Sequence, residues 1–548
     1  MLIAAATTVF LALSSYLFLK WLYNLARNKQ IEDQSGVLDL QLLGKLRADG
    51  DKIKGTAVIC GGSLGGLAAA RVCHDHFERV VIVEPEAWLS TEDAWRENVS
   101  EQQNKRKRLM QWEAIQAIQT WGASCLMNLF PNLSEECAKS RVSLVPGDFK
   151  ISISGRLLKV PTNEYKNGLP KTVVASRPGL ETLLRRLVIG KKQYPNIEQI
   201  PGSVIDIETS VDDSQYLSKV VVRQEEETLT IPATLVVDCT GYFSAGSKIL
   251  KKHGFGDSEE SKEDEKSLDE LRVTYDQIMH YSTIQFPVTD ELYQRFPVEA
   301  RRIGPSMFGF PDSRKERKII FSQVADRNIV QLCAGQWGPA KLPTSLDEFA
   351  EFAKSLNYDE PVPDWWYRFL DMLREVEDFI TVKVIRCPPS AYTPLHRAVN
   401  MPPNWIALGD SIMRINPVFG QGINKMLLGV ATLNTVLHDV HVEDKGKLPI
   451  DFAQRFFSIQ AKKIEPIWES VKGADYDFDT TTPVAGETLS KHSLIRWYIQ
   501  AVQRLGSHDD EAASVTWHAL MFLGPSIDYF SPTLVTKILW SLLSRGDV

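Results

Sequence analysis

The chain has 548 residues, 44% of them hydrophobic and 24% charged, the composition of a folded protein with more than one lobe. A net charge of −7 provides no basic face and argues against a nucleic-acid partner. The seven cysteines are scattered, odd in number and without a CxxC pair, and the ten histidines include no HExxH, so neither a disulfide framework nor a metal site is indicated.

The chain opens with "MLIAAATTVFLALSSYLFLKWLY", which has no charged side chain before Lys20. At ~1.5 Å per residue, about 20 apolar residues reach the ~30 Å of a bilayer core. The basic start and cleavage site of a signal peptide are missing, Trp21 and Tyr23 suit an interface, and Lys20, Arg27 and Lys29 place the rest of the chain on the cytoplasmic side. The expectation is a single-pass transmembrane anchor over 1–25 in the endoplasmic reticulum membrane, with a charged linker over 26–54 and a cytosolic catalytic part.

"TAVICGGSLGGLAAARVCHDHFERVVIVEPE" (56–86) then reads as strand, glycine turn, helix and strand. Gly61 and Gly66 take the first and third glycine positions of a dinucleotide fingerprint, for the tight turn and for close helix–strand packing. Ser63 replaces the middle glycine, beside the pyrophosphate, where its hydroxyl can donate to a phosphate oxygen at a helix N-terminus. Glu84 ends the second strand, where a carboxylate accepts from both ribose hydroxyls and disfavours a 2′-phosphate. This stretch alone allows FAD or NAD.

Residues 101–130 are expected to form a helix, basic at "KRKR" (105–108) and apolar later at helical spacing. Strands are expected at 141–161 and 218–238, with a helix at "SRPGLETLLRRLV" between them. The acidic block 256–270 reads as a mobile surface loop. Strand-like segments from 273 to 386 suggest an inserted antiparallel sheet, and the pattern from 423 onward is mainly helical. The apolar but interrupted segment 518–546 is expected to lie against the membrane or the body. The resulting domains are a nucleotide-binding domain over 55–255 and 391–440, an inserted domain over 256–390 and a helical C-terminal region over 441–548.

A second motif decides between the two cofactors. "NWIALGDSIMRINPVFGQGINK" reads as strand, Gly-Asp, loop and helix. Asp410 at a strand end can bind polyol hydroxyls, while Gly420 and Gly422 shape a loop whose helix N-terminus can face the pyrimidine edge of an isoalloxazine. NAD has neither a ribitol nor that edge.

The blocks "VICGGSLGGLAAA", "LVVDCTGYFS" and "ALGDSIMRINPVFGQGINK" resemble the class A flavoprotein monooxygenases, the para-hydroxybenzoate hydroxylase superfamily, and most of all epoxidases of fungal and microbial secondary metabolism. The resemblance implies a Rossmann-type α/β FAD-binding domain with an inserted antiparallel-sheet substrate domain. Gly61, Ser63, Gly66 and Glu84 would contact the ADP half of FAD, Asp410 the ribitol, and Gly420, Gln421 and Gly422 the ring. Arg108 resembles the family's arginine near the flavin, with Arg177 a weaker candidate. The implied reaction transfers one oxygen atom from O2 through a C4a-hydroperoxyflavin to an alkene of a lipophilic prenylated, terpenoid or polyene metabolite. The alternatives are an aromatic-ring hydroxylase, a flavin reductase of the geranylgeranyl reductase type, and a non-enzymatic membrane adaptor. "DCTG" (238–241) stands where hydroxylases of the superfamily carry Asp-Gly, which leaves NAD(P)H or a separate reductase as the electron donor. The WxWxIP motif of flavin halogenases is absent. No side chain is assigned as catalytic; Tyr275, Tyr281, Trp337 and His280 read as core or ordinary strand residues before they read as pocket lining.

Overall fold

The computed structural model describes residues 2–257, 266–302, 304–326, 328–441 and 446–545. The centre of the acidic block expected as a loop, 258–265, lies outside the described residues.

The first sheet is wholly parallel. It contains β1 (Ile53–Cys60), β2 (Phe77–Glu84), β3 (Ile197–Pro201), β4 (Leu235–Asp238) and β5 (Trp405–Ala407), in the order β5-β4-β1-β2-β3. Strands covered on both faces need continuous apolar runs, and "AVIC" in β1 and "VVIV" in β2 supply them, all buried. Helix α2 (Leu64–His76) makes the β1–β2 crossover, and α3 (Arg177–Arg185) precedes β3. Helix α4 (Gly422–His438) packs on α2, with fourteen buried residues, nine of which belong to the same core.

The second sheet has seven strands, in the order Thr381–Arg386, Met279–Pro287, Ile329–Trp337, Lys318–Ala325, Gly304–Phe310, Ile151–Ile153 and Arg156–Leu157. All pairs are antiparallel except Gly304–Phe310 with Ile151–Ile153. Because successive side chains alternate faces, the sheet separates two cores. Ile284, Ile320, Leu332 and Ala334 pack under the helices Leu346–Lys354 and Asp364–Leu373. On the opposite face Tyr281, Ile319, Phe321, Cys333 and Trp337 point towards the C-terminal helices. That region comprises α5 (Phe452–Tyr476), α6 (Ser493–Leu505), the helix Asp510–Leu520 and α7 (Pro532–Arg545).

Two expectations fail. Among the described residues no helix is long and apolar enough to cross a membrane, which overturns the single-pass anchor and the endoplasmic reticulum localisation built on it. The N-terminal helix α1 (Leu2–Gln34) continues unbroken through Lys20, Arg27, Lys29, Glu32 and Asp33, and its second half is docked on the body. Arg27 Nε and Tyr23 OH both donate to Asp528 at 2.7 Å, and Lys462 pairs with Asp33 at 3.0 Å.

The second failure is the helix expected over 101–130, which begins only at Thr120. Before it, side-chain carboxylates take the backbone N–H groups that a helix would use. Asp93 accepts from the N–H groups of Gln103 and Asn104, and Glu86 from those of Lys107 and Arg108. Local carboxylates thus outcompete the helical ladder.

Candidate functional site

The end of β1 shows why two of the glycines are required. Gly61 has φ +112, and a Cβ there would stand 2.5 Å from the Cys239 carbonyl oxygen. A Cβ on Gly66 would stand 1.8 Å from the Gly61 oxygen, so α2 can approach the strand only without a side chain. The N–H of Gly62 donates to Glu84 Oε2 at 2.9 Å, and Glu84 is 2% exposed at the end of β2. Ser63 is the N-cap of α2, but its hydroxyl turns away from the helix. It donates to Glu181 Oε2 at 2.9 Å and accepts from Arg177 Nη2 at 2.8 Å.

Helix α3 supplies those partners. Ser176 caps it by accepting from the Gly179 N–H, and Pro178 stands in its first turn. Arg177, Glu181 and Arg185 recur every fourth residue, so they share one face, and that face is turned to the crevice. Arg106 reaches in from the segment after β2 and pairs with Glu84 and Glu86, each at 3.2 Å, and with Glu181. Burial alone would raise the Glu181 carboxyl, but Arg106, Arg177 and Arg185 together outweigh it and bring it down to about 2. Burial pulls Arg177 and Arg185 below their usual values, and the Nε of each is buried without a partner.

Arg108, the arginine expected near the flavin, is exposed and only its backbone N–H touches Glu86. The arginine that enters the crevice is Arg106, two residues earlier. "KRKR" drew attention to the region but offered nothing to choose among its arginines. Arg177, the weaker candidate, does face the crevice, and the i, i+4 spacing of Arg177, Glu181 and Arg185 in "RPGLETLLR" is the signal that could have found the cluster.

The second motif closes over the first. Asp238, at the end of β4, is buried and accepts from the Thr240 N–H and hydroxyl, the Gly246 N–H and the Ser411 hydroxyl. "DCTG" therefore ties the end of β4 to the Gly-Asp loop. Asp410 is 41% exposed and pairs at 2.8 Å with Lys425, which is 1% exposed and also donates to the Met413 carbonyl. Met426 of α4 lies over both motifs: a Cβ on Gly65 would meet it at 3.3 Å and one on Gly409 at 3.5 Å. Gly420 has φ +68, and its carbonyl accepts from Gln119 Nε2 at 3.1 Å. A Cβ on Gly422 would meet nothing within 4 Å, so the N-terminus of α4 is open. Gln421 Oε1 beside it is buried without a partner.

These features fit FAD. The start of α2 offers backbone donors where a diphosphate needs them, beside Arg177 and Arg185, each with a buried and unsatisfied Nε. The exposed Asp410 carboxylate suits a polyol, and the open start of α4 with the unpaired Gln421 suits the ring edge.

A cavity of about 640 Å³ begins at this loop. Phe419 and Gln421 line it on the loop side, Phe310 and Trp337 on the sheet side, and Phe478, Arg496 and Arg504 on the C-terminal side. Phe310 stacks on Phe419 with centroids 6.0 Å apart, and Trp337 stacks on Phe478 at 4.0 Å. Asp475 lies behind these rings and is fully buried. Its Oδ1 accepts from Trp337 Nε1 at 2.8 Å and from Asn416 Nδ2 at 2.7 Å, and its Oδ2 accepts from Tyr275 OH at 2.8 Å. Burial pushes its carboxyl up to about 7, against the three donors that pull it down. Asn416 in turn accepts from the Val418 N–H, so Asp475 braces the Pro417–Phe419 turn against the sheet. Nothing in "KGADYDFD" distinguishes Asp475 from Asp477 and Asp479. His280 accepts or donates no hydrogen bond towards the cavity in this arrangement; its Nδ1 faces the Gly338 carbonyl at 3.0 Å.

No family model matches the sequence. The protein Rv3254 of Mycobacterium tuberculosis is 24% identical over 494 residues, covering 86% of this chain and 89% of that one. Among solved structures, the flavin-dependent brominase Bmp2 superposes with a TM-score of 0.50 at 12% identity, covering 90% of this chain and 100% of its own. The flavin-dependent halogenase CmlS gives 0.50 at 13% identity, over 85% and 76% of the two chains. Identities this low speak for architecture alone. The chain shares its fold with the flavin-dependent enzymes Bmp2 and CmlS.

Proposed function

We propose that the protein is an FAD-dependent monooxygenase that inserts one oxygen atom from O2 into a lipophilic substrate, by epoxidation of an alkene on a prenylated, terpenoid or polyene metabolite. The observation that carries this reading is the cavity that starts at Phe419 and Gln421 and has an aromatic wall of Phe310, Trp337, Phe419 and Phe478 at that end. Such a wall excludes water from a reacting double bond and offers a hydrophobic body a large contact area.

In this reading Ser63, Glu84 and Arg177 hold the ADP half of FAD, Asp410 holds the ribitol, and Gly420, Gln421 and Gly422 lie along the ring. Bound FAD would take electrons from NAD(P)H or a separate reductase and supply the oxygen chemistry. The chain's own residues orient and exclude: Asp475 fixes the loop through Asn416 and fixes Trp337 through its indole N–H. Oxygen transfer to an alkene requires no side-chain nucleophile, and no nucleophile–base pair lines the cavity among the described residues.

The test uses the purified full-length protein and extracts of a strain lacking the gene. A yellow protein, bleached by dithionite and restored in air, is expected to convert the accumulating precursor to a product heavier by one oxygen atom. A gain of two hydrogens instead would make the protein a flavin reductase, and a brominated or chlorinated product a halogenase. A colourless protein that takes up no FAD would refute the flavin reading altogether.

A further inference from the structure

Among the described residues, one cation on the cavity wall makes no ion pair and leaves a guanidinium nitrogen without a hydrogen-bond acceptor. Most charged side chains along that wall are paired: Lys463 with Asp39, Lys472 with Glu469 and Glu487, Lys491 with Glu487, and Arg496 with Asp477. Arg504, near the end of α6, is different. Its Nη2 is buried with no hydrogen-bond partner, and no carboxylate among the described residues lies within ion-pair distance of its guanidinium. The nearest candidates are already engaged: Asp312 is chelated by Arg314 at 2.7 and 2.9 Å, and Asp359 pairs with Lys315 at 3.0 Å and Arg156 at 3.7 Å. Arg156, Arg314 and Lys315 therefore hold Asp312 and Asp359, and neither carboxylate is left free to pair with Arg504.

A buried guanidinium nitrogen without an acceptor costs desolvation that no contact within the chain returns. Arginine's planar fork is matched by a carboxylate, which it binds through two parallel hydrogen bonds. The position is also suited to a substrate. Asp312, whose charge Arg504 senses, is two residues beyond Phe310, about 7 Å of chain. Phe310 is stacked on Phe419 of the flavin loop. The apolar wall and the unanswered cation are therefore parts of one chamber.

We propose that Arg504 binds a carboxylate on the substrate, so that the cavity takes an amphiphilic acid whose apolar body lies against Phe310, Phe419 and Trp337. This rests on reading the cavity as the substrate chamber and narrows the substrate class from lipophilic metabolites to those bearing an acid group.

The test compares two ligands with the same chain, dodecanoate and dodecan-1-ol, below their aggregation limits. Calorimetric titration of the full-length protein, as purified with its flavin, is expected to show dodecanoate binding at least tenfold more tightly at pH 7.5. Arg504→Gln is expected to bind both equally, and Arg504→Lys to keep part of the preference, with melting temperature and flavin content unchanged in both. Equal affinities in the unaltered protein, or a preference that survives Arg504→Gln, would overturn the proposal. The flavin reading is judged separately by colour. A colourless protein that still prefers dodecanoate supports the acid subsite, whereas a yellow protein with no preference removes it.

Discussion

Asp475 makes a quantitative demand on the pH dependence of folding. Its carboxyl is pushed from the usual 3.8 up to about 7 by full burial, although three side chains donate to it. The protonated form is thus favoured by folding. The stability it contributes is fully present below pH 4, declines as the pH rises through the window from about 4 to 7, and levels off above that. Three pH units at ~1.36 kcal/mol each make the decline about 4 kcal/mol. Asp475→Asn removes the titration while keeping the shape. An asparagine oxygen in the place of Oδ1 still accepts from Trp337 and Asn416, and its amide faces the Tyr275 hydroxyl, which can accept. Urea titrations of both proteins from pH 4.5 to 8.5 give unfolding free energies whose difference cancels every other titrating group. The asparagine variant is expected to gain on the unaltered protein by about 3–4 kcal/mol between the ends of that range. A difference independent of pH would mean that Asp475 is ionised throughout and that burial does not raise its carboxyl.

Ser63→Gly is expected to retain flavin, because Arg177 and Glu181 remain bonded to each other at 3.1 Å once the hydroxyl is gone. Asp410→Ala is expected to weaken flavin retention by ~1–3 kcal/mol, read by equilibrium dialysis. Asp410→Asn keeps an acceptor for the buried Lys425 and so separates cofactor loss from instability. Arg106→Gln leaves the buried Glu84 without its ion-pair partner, while Glu181 keeps Arg177 and Arg185, and is expected to cost about 3–5 kcal/mol of stability, whereas Arg108→Gln is expected to cost less than about 0.5. Equal effects of the two arginine substitutions in a urea melt would show that the crevice is wrongly assigned.

How much of this site is legible in the sequence depends on the range of the forces involved. Gly61, Gly66 and Gly420 are dictated by backbone conformation and by contacts a few ångströms away, so they stand out in a local pattern. Asp410 has the same legibility because it sits one residue after a glycine at a strand end. Arg106 does not: its three carboxylates come from β2, the residues just after it and α3, and only the folded chain brings them together. Asp475 is further from reach, since its donors are 59, 138 and 200 residues away in sequence. The helix expected over 101–130 forms only from Thr120 for a related reason, as periodicity records side-chain faces but not carboxylates that compete for the backbone.

The N-terminal helix carries the same lesson for hydropathy. A run of apolar residues is a sum over neighbours in sequence, and over the first nineteen residues that sum reads as a membrane span. Docking is decided by partners far away. Arg27 and Tyr23 meet Asp528 about 500 residues on, Gln30 accepts from the Ile527 N–H, and Lys462 meets Asp33. Those contacts fix the charged half of the helix beside the cavity, where Gln30, Gln34 and Gly36 contribute to the wall. Asp528→Asn removes the charge shared by Arg27 and Tyr23. If the helix serves the chamber, the substitution should loosen the binding of apolar ligands there while leaving flavin content unchanged, since no described residue of α1 reaches the nucleotide crevice. Loss of flavin with ligand binding intact would instead place the helix in the service of the cofactor.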